Sequence, residues 1–391
     1  MSASAEAPPR TKANWAGVVS LGLGIFGIVM AEFLPASLLP RMAEDLGVSA
    51  GAAGQSVTMT AAAAAVTALM IAVVLPHADR RRVMLGLTLL AAVSNVLVAL
   101  APSLPVLLAA RVLLGIALGG FWAMAIAVAA HLVPADRLGR ALTVVNTGVS
   151  TATVAAVPLG AWLGEVWGWR GVFVLGAGAA ALALVLQALT LPRITPGAVS
   201  GLRALGSTLR SGIVLLGLLA AFLISGGHFA GFTYIRPAAE SLSGIDPAGI
   251  ALMLLVFGVA NFLGTLAAGP MADRSLRLGV LLFPSVLGAG MLLMLVTGGS
   301  AAGLFAAAAL WGLGFGGVPT TLQTWGARTE PSHLEQIGGL LVVMFNVAIA
   351  AGAVIGGILV DGVSPNALLL AGGTSAVAGG LLIVCLRRGR R

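Results

Sequence analysis

The chain has 391 residues, of which 59% are hydrophobic and only 9% are charged, and its mean hydropathy is +1.06. Soluble globular proteins have about a quarter of their residues charged, so this composition indicates an integral membrane protein. The net charge of +8 does not indicate nucleic-acid binding, because the arginines fall in short segments between apolar runs. The single cysteine, Cys385, excludes an intramolecular disulfide framework.

Twelve apolar segments recur along the chain, each long enough to cross a hydrocarbon core of about 30 Å, which takes about 20 helical residues. The first is too long to be the core of a cleavable signal, so we expect it to stay in the membrane. We place the spans, numbered 1 to 12, at 15–40, 52–76, 83–101, 104–130, 139–163, 171–191, 212–236, 248–271, 278–297, 300–324, 336–360 and 366–386. The sequence therefore predicts an all-α integral membrane fold.

A segment rich in Pro, Gly, Ser and Arg separates these spans into two groups of six. Its composition is typical of a linker between two halves. The predicted organisation is an N-terminal tail (1–14), an N-terminal half (15–191), a cytoplasmic linker (192–211), a C-terminal half (212–386) and a basic tail (387–391).

The positive charges predict the orientation in the membrane. With the N-terminus inside, seventeen Arg and Lys residues fall in cytoplasmic segments, whereas the outside loops contain only Arg41, Arg170 and Arg236. This bias follows the positive-inside rule, and the even number of spans places both termini in the cytoplasm.

Acidic residues recur at an offset of about half the chain. Asp79 in HADRRRV and Asp273 in GPMADRSLR are 194 residues apart, and Glu165 and Asp361 are 196 residues apart. A near-constant offset indicates two parallel-repeat halves, which can rock about a central site. The alternative is a chance similarity between Asp–Arg loops in an arginine-rich membrane protein.

Several segments resemble motifs of the major facilitator superfamily. GPMADRSLR resembles its loop motif, RVLLGIALGG (111–120) resembles its span 4 arginine motif, and AAVPLGAWLG (155–164) is similar to the span 5 motif of its drug:proton antiporter branch. Leu75 and Val157 stand where these motifs usually have glycine. The longer strings AEFLPASLLPRMAEDLGVS, LGIALGGFWAMA, GEVWGWRGVF and FTYIRP resemble the bacterial purine ribonucleoside efflux family within that branch.

This resemblance implies a transporter of the bacterial inner membrane in which loop residues latch one conformational state. The gating residues that it implies are Asp79, Arg80, Asp273, Arg274 and Arg277. The alternative for the two aspartates is simple capping of the loops in which they lie.

Glu32 is the only ionisable residue in the predicted first span. A charged side chain at membrane depth costs about 2.5–3.5 kcal/mol even on lenient scales, which makes such a residue a candidate for function. Counting about 1.5 Å per residue from the helix ends places Glu32, Arg111 and His228 in one layer of the outer half. We interpret these three as the proton-coupling group, with Pro35 loosening span 1 beside the carboxylate. The alternatives are a permanent Glu32–Arg111 ion pair, a lipid-facing carboxylate and a packed neutral histidine.

Polar and aromatic residues inside the spans are candidates for binding a small neutral polar solute. Amides and hydroxyls suit sugar hydroxyls and base edges, and aromatic rings can stack on a base. The alternatives are interhelical hydrogen bonds for the polar residues and packing for the rings. The predicted substrate-binding residues are Gln55, Thr58, Trp122, Asn146, Ser150, Phe232, Tyr234, Asn261 and Asn346.

The sequence contains no nucleotide-binding loop, and its four histidines are scattered without metal-ligand spacing. We therefore expect no enzyme activity, no metal site and no cofactor, with the proton gradient as the driving force. The predicted function is proton-coupled export of a neutral polar solute, with purine ribonucleosides such as inosine favoured. Export of drugs or sugars, a channel and a non-transporting sensor are the alternatives. The expected partners are the substrate, protons and the lipid bilayer, without nucleic acid, and we expect a monomer.

Overall fold

The computed structural model describes residues 13–48, 50–196, 202–235, 238–239, 247–297, 299–362 and 364–386. Within these ranges the chain is helical, with short connections. The helices are α1 (Trp15–Asp45), α2 (Ala50–Val74), α3 (Arg80–Leu100), α4 (Leu104–Leu132), α5 (Leu138–Thr190), α6 (Leu202–Arg210), α7 (Gly212–Thr233), α8 (Pro247–Thr297), α9 (Ala301–Thr329), α10 (Leu334–Gly362) and α11 (Pro365–Leu386). A 3-10 turn, Ala135–Arg137, precedes α5.

Two of these helices each contain two spans. In α5 the chain turns at Gly168, whose φ of 68° is in the region that favours glycine, so the turn joins spans 5 and 6. In α8 the backbone leaves helical geometry at Ser275, which joins spans 8 and 9. The other spans each correspond to one helix, so the all-α fold of twelve spans predicted from the sequence is confirmed.

Local sequence explains where several helices begin. The side chain of Asn14 accepts a hydrogen bond from the Gly17 amide at 2.9 Å, and Asp79 accepts one from the Arg81 amide at 2.9 Å. Each side chain satisfies an amide that the first helical turn leaves free. Span 1 continues to Asp45, five residues beyond its predicted end, and the predicted linker contains the short helix α6.

In each half, glycines allow two helices to come into close contact, and the helix pair of one half is equivalent to that of the other. Gly115 and Gly119 on span 4 lie against the backbone of span 2, and Gly312 and Gly316 on span 10 lie against the backbone of span 8. A Cβ atom at any of these four positions would collide with a backbone carbonyl oxygen of the neighbouring helix. The equivalent glycines are 197 residues apart, close to the offset of the acidic residues.

Residues 1–12, 197–201 and 387–391, which belong to the predicted tails and linker, lie outside the described residues, and so does Arg236. The side chains of Glu165 and Asp361 also lie outside the described part of the structure.

Candidate functional site

Arg111 on span 4 is completely buried and is bound by backbone carbonyl groups of two other spans. Its guanidinium donates to the carbonyl oxygens of Ala31 at 2.8 Å, Glu32 at 3.3 Å and Ser56 at 3.3 Å. The first two acceptors are on span 1 and the third is on span 2. The arginine therefore joins three helices through their backbones.

The Glu32 carboxylate is next to this arginine but is not paired with it. The side chain is half-buried, and it makes no ion pair within 4.0 Å and no hydrogen bond to any described residue. The permanent ion pair considered as an alternative is thus not formed in this conformation. An acid that is close to a guanidinium and yet unpaired can take up or lose a proton without breaking a structural contact.

His228 on span 7 lies among aromatic rings of the C-terminal half. Its Nδ1 accepts a hydrogen bond of 3.0 Å from the indole Nε1–H of Trp311 on span 10, and the residue is 2% exposed. These ring contacts and this hydrogen bond all lie within spans 7, 8 and 10, so the structure does not join His228 to Glu32 or Arg111. We call the following residues the aromatic cluster: His228, Phe229, Phe232, Phe257, Trp311 and Phe315.

Asn146 and Ser150 on span 5 form hydrogen bonds across the two halves. The Asn146 amide donates to the Thr320 hydroxyl at 3.0 Å and to the Gln323 side-chain oxygen at 2.9 Å, both on span 10. The hydroxyl of Ser150 is 3.0 Å from that of Thr265 on span 8. The structure thus brings these two predicted substrate residues into contacts between helices, which was the alternative interpretation of their polarity.

Asn261 lies beside this group, with its side-chain oxygen 3.5 Å from the Ser150 hydroxyl. Asn346 on span 11 donates to the carbonyl oxygen of Val342 in its own helix at 2.9 Å. The other predicted substrate residues are not gathered by a shared hydrogen bond among the described residues. Gln55 and Thr58 are exposed on span 2, whereas Trp122 and Tyr234 are half-buried on span 4 and at the end of span 7.

Asp273 ties the two halves together at the end of the bundle that contains the connections between spans 2 and 3, 4 and 5, 8 and 9, and 10 and 11. We call this the arginine-rich end. The carboxylate accepts hydrogen bonds from the backbone amides of Gly139 at 2.7 Å and Arg140 at 3.1 Å, at the start of span 5. A carboxylate at a helix N-terminus accepts hydrogen bonds from free amides, and its negative charge interacts favourably with the helix dipole. The side chains of Arg140 and Arg328 lie 3.5 and 4.0 Å from it.

A second contact between the halves at this end joins Arg80 to Glu335. The Arg80 guanidinium forms a two-point ion pair with the carboxylate, with the Nη2 bond at 2.7 Å, and also donates to the carbonyl oxygen of Leu75 at 2.6 Å. The arginine side chain is 1% exposed and that of Glu335 is 10% exposed. Between described residues, every hydrogen bond that joins the halves lies between this end and Ser150, so this end is closed.

The remaining predicted gating residues make other contacts. Asp79 accepts from the amide of Arg81 at 2.9 Å, in the N-terminal half, and from that of Ile194 at 3.1 Å, in the predicted linker, which matches the capping alternative. Arg274 and Arg277 are exposed.

Some residues of these contacts were not identified from the sequence. Glu335, Thr320, Gln323, Trp311 and Phe315 were missed, although Glu335 is an acidic residue in the first turn of α10. An acid there satisfies a helix N-terminus on its own, so the sequence did not indicate a partner 255 residues away.

At the opposite end, Asp45 is paired with Arg170. The hydrogen bond from the Arg170 side chain has the largest effect on the pKa of Asp45 and lowers it below its usual value. Burial opposes this shift, whereas the charge of Arg170 and the hydrogen bond from the Trp169 indole lower the pKa further. The Arg170 guanidinium lies 4.2 Å from the centre of the Trp169 ring. This cluster joins the end of span 1 to the start of span 6. In the part of the chain that the structure describes, no group of three or more His, Cys, Asp or Glu residues could hold a metal ion.

The sequence is similar to that of membrane transport proteins. The profile of the Major Facilitator Superfamily matches residues 21–331. The purine ribonucleoside efflux pump NepI of Shigella dysenteriae is 38% identical to this chain, over 95% of each protein. NepI of Salmonella typhimurium is also 38% identical, over 95% of this chain and 92% of its own length. A protein of Pseudomonas aeruginosa named transcription regulatory protein OpdE is 38% identical over 99% of this chain and 97% of its own length.

Solved structures with the same architecture have diverged far in sequence. The human organic anion transporter MFSD10 superposes with a TM-score of 0.76 and 18% identity, over 96% of this chain and all of that one. The transporter FucP in its outward conformation superposes with a TM-score of 0.76 and 16% identity, over 96% and 98% of the two chains. At these sequence identities, the similarity shows a shared fold alone.

Proposed function

Because the chain belongs to the major facilitator superfamily, we propose that it exports purine ribonucleosides in exchange for protons. Both NepI relatives are named for efflux of such compounds, and each covers nearly the whole chain. The transporter would act as a monomer in a bacterial inner membrane, with the predicted halves 15–191 and 212–386 rocking about a site between them.

The unpaired Glu32 carboxylate is the observation that supports proton coupling. Arg111 is already held by the carbonyl groups of Ala31, Glu32 and Ser56, so it can stay in place while the carboxylate changes its charge. The ionised acid is attracted to the guanidinium, and the protonated acid is not. A proton on Glu32 therefore changes the electrostatic energy between spans 1 and 4 without removing a structural hydrogen bond.

The arginine-rich end is assigned to the cytoplasm by the positive-inside rule. Its contacts, Asp273 with the start of span 5 and Arg80 with Glu335, hold that side closed. The described conformation then corresponds to the state that receives protons from outside. Opening the cytoplasmic side requires both contacts and the Asn146 hydrogen bonds to break.

A neutral nucleoside suits the side chains available inside the spans. The half-buried Trp122, Phe232 and Tyr234 offer ring surfaces, and Asn261 and Asn346 offer amides. None of these groups has to give up a charge to water when it binds a neutral solute, so the desolvation cost remains modest.

Transport by purified protein in liposomes tests this proposal. With an imposed pH gradient and labelled inosine, we expect wild-type protein to move inosine against the proton flux. Glu32→Gln should lose gradient-driven movement by at least about tenfold, because it cannot release a proton, while inosine–inosine exchange without a gradient continues. Glu44→Gln is the matched control, because it makes the same chemical change at an exposed position on the same helix.

Two results would contradict separate parts of the proposal. Gradient-driven inosine transport by Glu32→Gln at the wild-type rate would show that Glu32 is not the proton carrier. Chloramphenicol and arabinose serve as competing solutes, and transport of one of them without any inosine movement would replace the nucleoside with a drug or sugar.

A further inference from the structure

We propose that His228 recognises the purine base of the substrate as a neutral hydrogen-bond donor, held in the aromatic cluster. This inference rests on the proposed function, because it concerns how a purine ribonucleoside is selected. It also gives His228 a different role from the proton coupling expected from the sequence.

The hydrogen bond with Trp311 determines which nitrogen of His228 carries the hydrogen. An indole N–H can only donate, so the His228 Nδ1, at 3.0 Å, must accept. In a neutral imidazole the hydrogen is then on Nε2. A protonated ring would place two N–H groups against each other, so the same contact opposes a second proton.

Ring packing fixes the orientation of this imidazole. The ring of Phe315 lies parallel to it with centroids 3.4 Å apart, and that of Phe232 is 5.3 Å away at an interplanar angle of 20°. The ring centroids of Trp311 and Phe257 lie 6.0 and 6.2 Å from that of the imidazole. An imidazole held between rings has one direction in which Nε2–H can donate.

The Nε2 atom has no partner in the described part of the chain, since the bond with Trp311 is the only hydrogen bond of the His228 ring there. The residue is 2% exposed, yet Nε2 is not one of the fully enclosed unpaired atoms, so this donor is open to an acceptor that comes from outside the chain. The half-buried rings of Phe229, Phe232 and Phe315 adjoin it, whereas Phe257 and Trp311 are buried behind. The partly accessible rings offer aromatic faces beside one fixed donor.

A purine matches this combination. It is flat and neutral, it can stack on aromatic rings, and it has acceptors at N3, N7 and, in inosine, O6. A sugar has no aromatic face to stack. The arrangement therefore selects an aromatic base with an acceptor at one edge position.

Analogues that each lack one acceptor test this inference. Binding of inosine, 3-deazainosine, 7-deazainosine and purine riboside, which lacks O6, would be measured by competition with labelled inosine in proteoliposomes. In wild-type protein we expect one analogue to bind about three- to tenfold more weakly than inosine, the effect of one neutral hydrogen bond. In His228→Phe, which keeps an aromatic ring but no donor, this ratio should fall to about one.

His131→Phe is the matched control, because His131 is exposed on α4 and its hydrogen bond to a described residue is with the carbonyl oxygen of Ala127, at 2.9 Å. It should keep the wild-type ratio. Trp311→Phe provides a second variant if His228→Phe does not fold. It leaves the tautomer of His228 unfixed, so the ratio should shrink there too.

The outcomes separate this inference from the proposed function. An analogue ratio that is unchanged in His228→Phe or in Trp311→Phe, while inosine still binds, overturns the role of His228 and leaves nucleoside export in place. A wild-type ratio of about one for all three analogues overturns it as well. Failure of wild-type protein to bind inosine overturns the proposed function, and this inference with it.

Discussion

The guanidinium of Arg111 donates a hydrogen bond of 2.8 Å to the carbonyl oxygen of Ala31, on a different span. In a regular helix this carbonyl would accept from the amide four residues later, but that residue is Pro35, which has no N–H. The buried arginine thus replaces the donor that the proline lacks. Glu32, next to Ala31, is thereby kept beside a cation to which its carboxylate is not bonded.

This arrangement predicts that Arg111 and Pro35 are energetically coupled. Arg111→Leu should lower thermal stability in detergent, because it leaves the Ala31 carbonyl buried without a donor. In a Pro35→Ala background the helix can supply an amide, so the same substitution should cost about 1 kcal/mol less.

A double-mutant cycle on thermal unfolding measures this coupling. Additive effects of the two substitutions would show that the arginine does not replace the missing amide. Pro105→Ala, near the start of span 4, is a control proline outside this contact.

The sequence was enough to predict the twelve spans, because each span is a long apolar run and the connections contain the charges. It also identified Pro35, whose effect on the Ala31 carbonyl follows from covalent structure alone. It did not predict that Arg111 binds carbonyls rather than the Glu32 carboxylate, since depth along a helix does not give rotation about its axis. Pairing across the halves, as between Arg80 and Glu335, depends on the conformational state, which no local pattern records.

The contacts of Asp273 predict that removing its charge opens the arginine-rich end more often. Asp273→Asn removes the charge that strengthens the bonds from the Gly139 and Arg140 amides, so the end should open more often. We expect the population open at this end to rise about tenfold or more.

Thiol labelling can report this opening. The native cysteine, Cys385, is exposed and would be replaced by serine, and Thr143→Cys would place a buried thiol between spans 5 and 8. A water-soluble maleimide should then react about tenfold faster in Asp273→Asn, while Asp136→Asn, an exposed acid at the same end, leaves the rate unchanged. Equal rates in the two variants would show that Asp273 does not hold this end closed.

The Asp45–Arg170 pair predicts a pH dependence of stability. Because the pKa of Asp45 is lowered in the folded protein, this pair stabilises it above the usual aspartate pKa, whose reference value is 3.8. The stabilisation is lost as the pH falls through the lowered folded pKa. The difference in thermal midpoint between wild type and Asp45→Asn should therefore be largest near neutral pH and shrink in strong acid. A difference that grew in acid would contradict the pair.

The buried Arg80–Glu335 pair predicts unequal costs for its two partners. Removing Arg80 with Arg80→Met leaves the carboxylate of Glu335, whose side chain is 10% exposed, without its cation. Breaking a buried pair in this way costs about 3–5 kcal/mol. Glu335→Met should cost less, because Arg80 retains its bonds to the carbonyl oxygens of Leu75 and Ala78.

The double variant Arg80→Met with Glu335→Met should be more stable than Arg80→Met alone, because it removes the unpaired carboxylate as well as its partner. Thermal unfolding in detergent of the four proteins measures this, and Arg82→Met, on the same turn of α3, controls for loss of an arginine. Since the pair joins the two halves, the same variants should also label faster at Thr143→Cys, in the order of their loss of stability. Costs that simply add, with no recovery in the double variant, would mean that the two side chains act independently and that this ion pair does not hold the arginine-rich end closed.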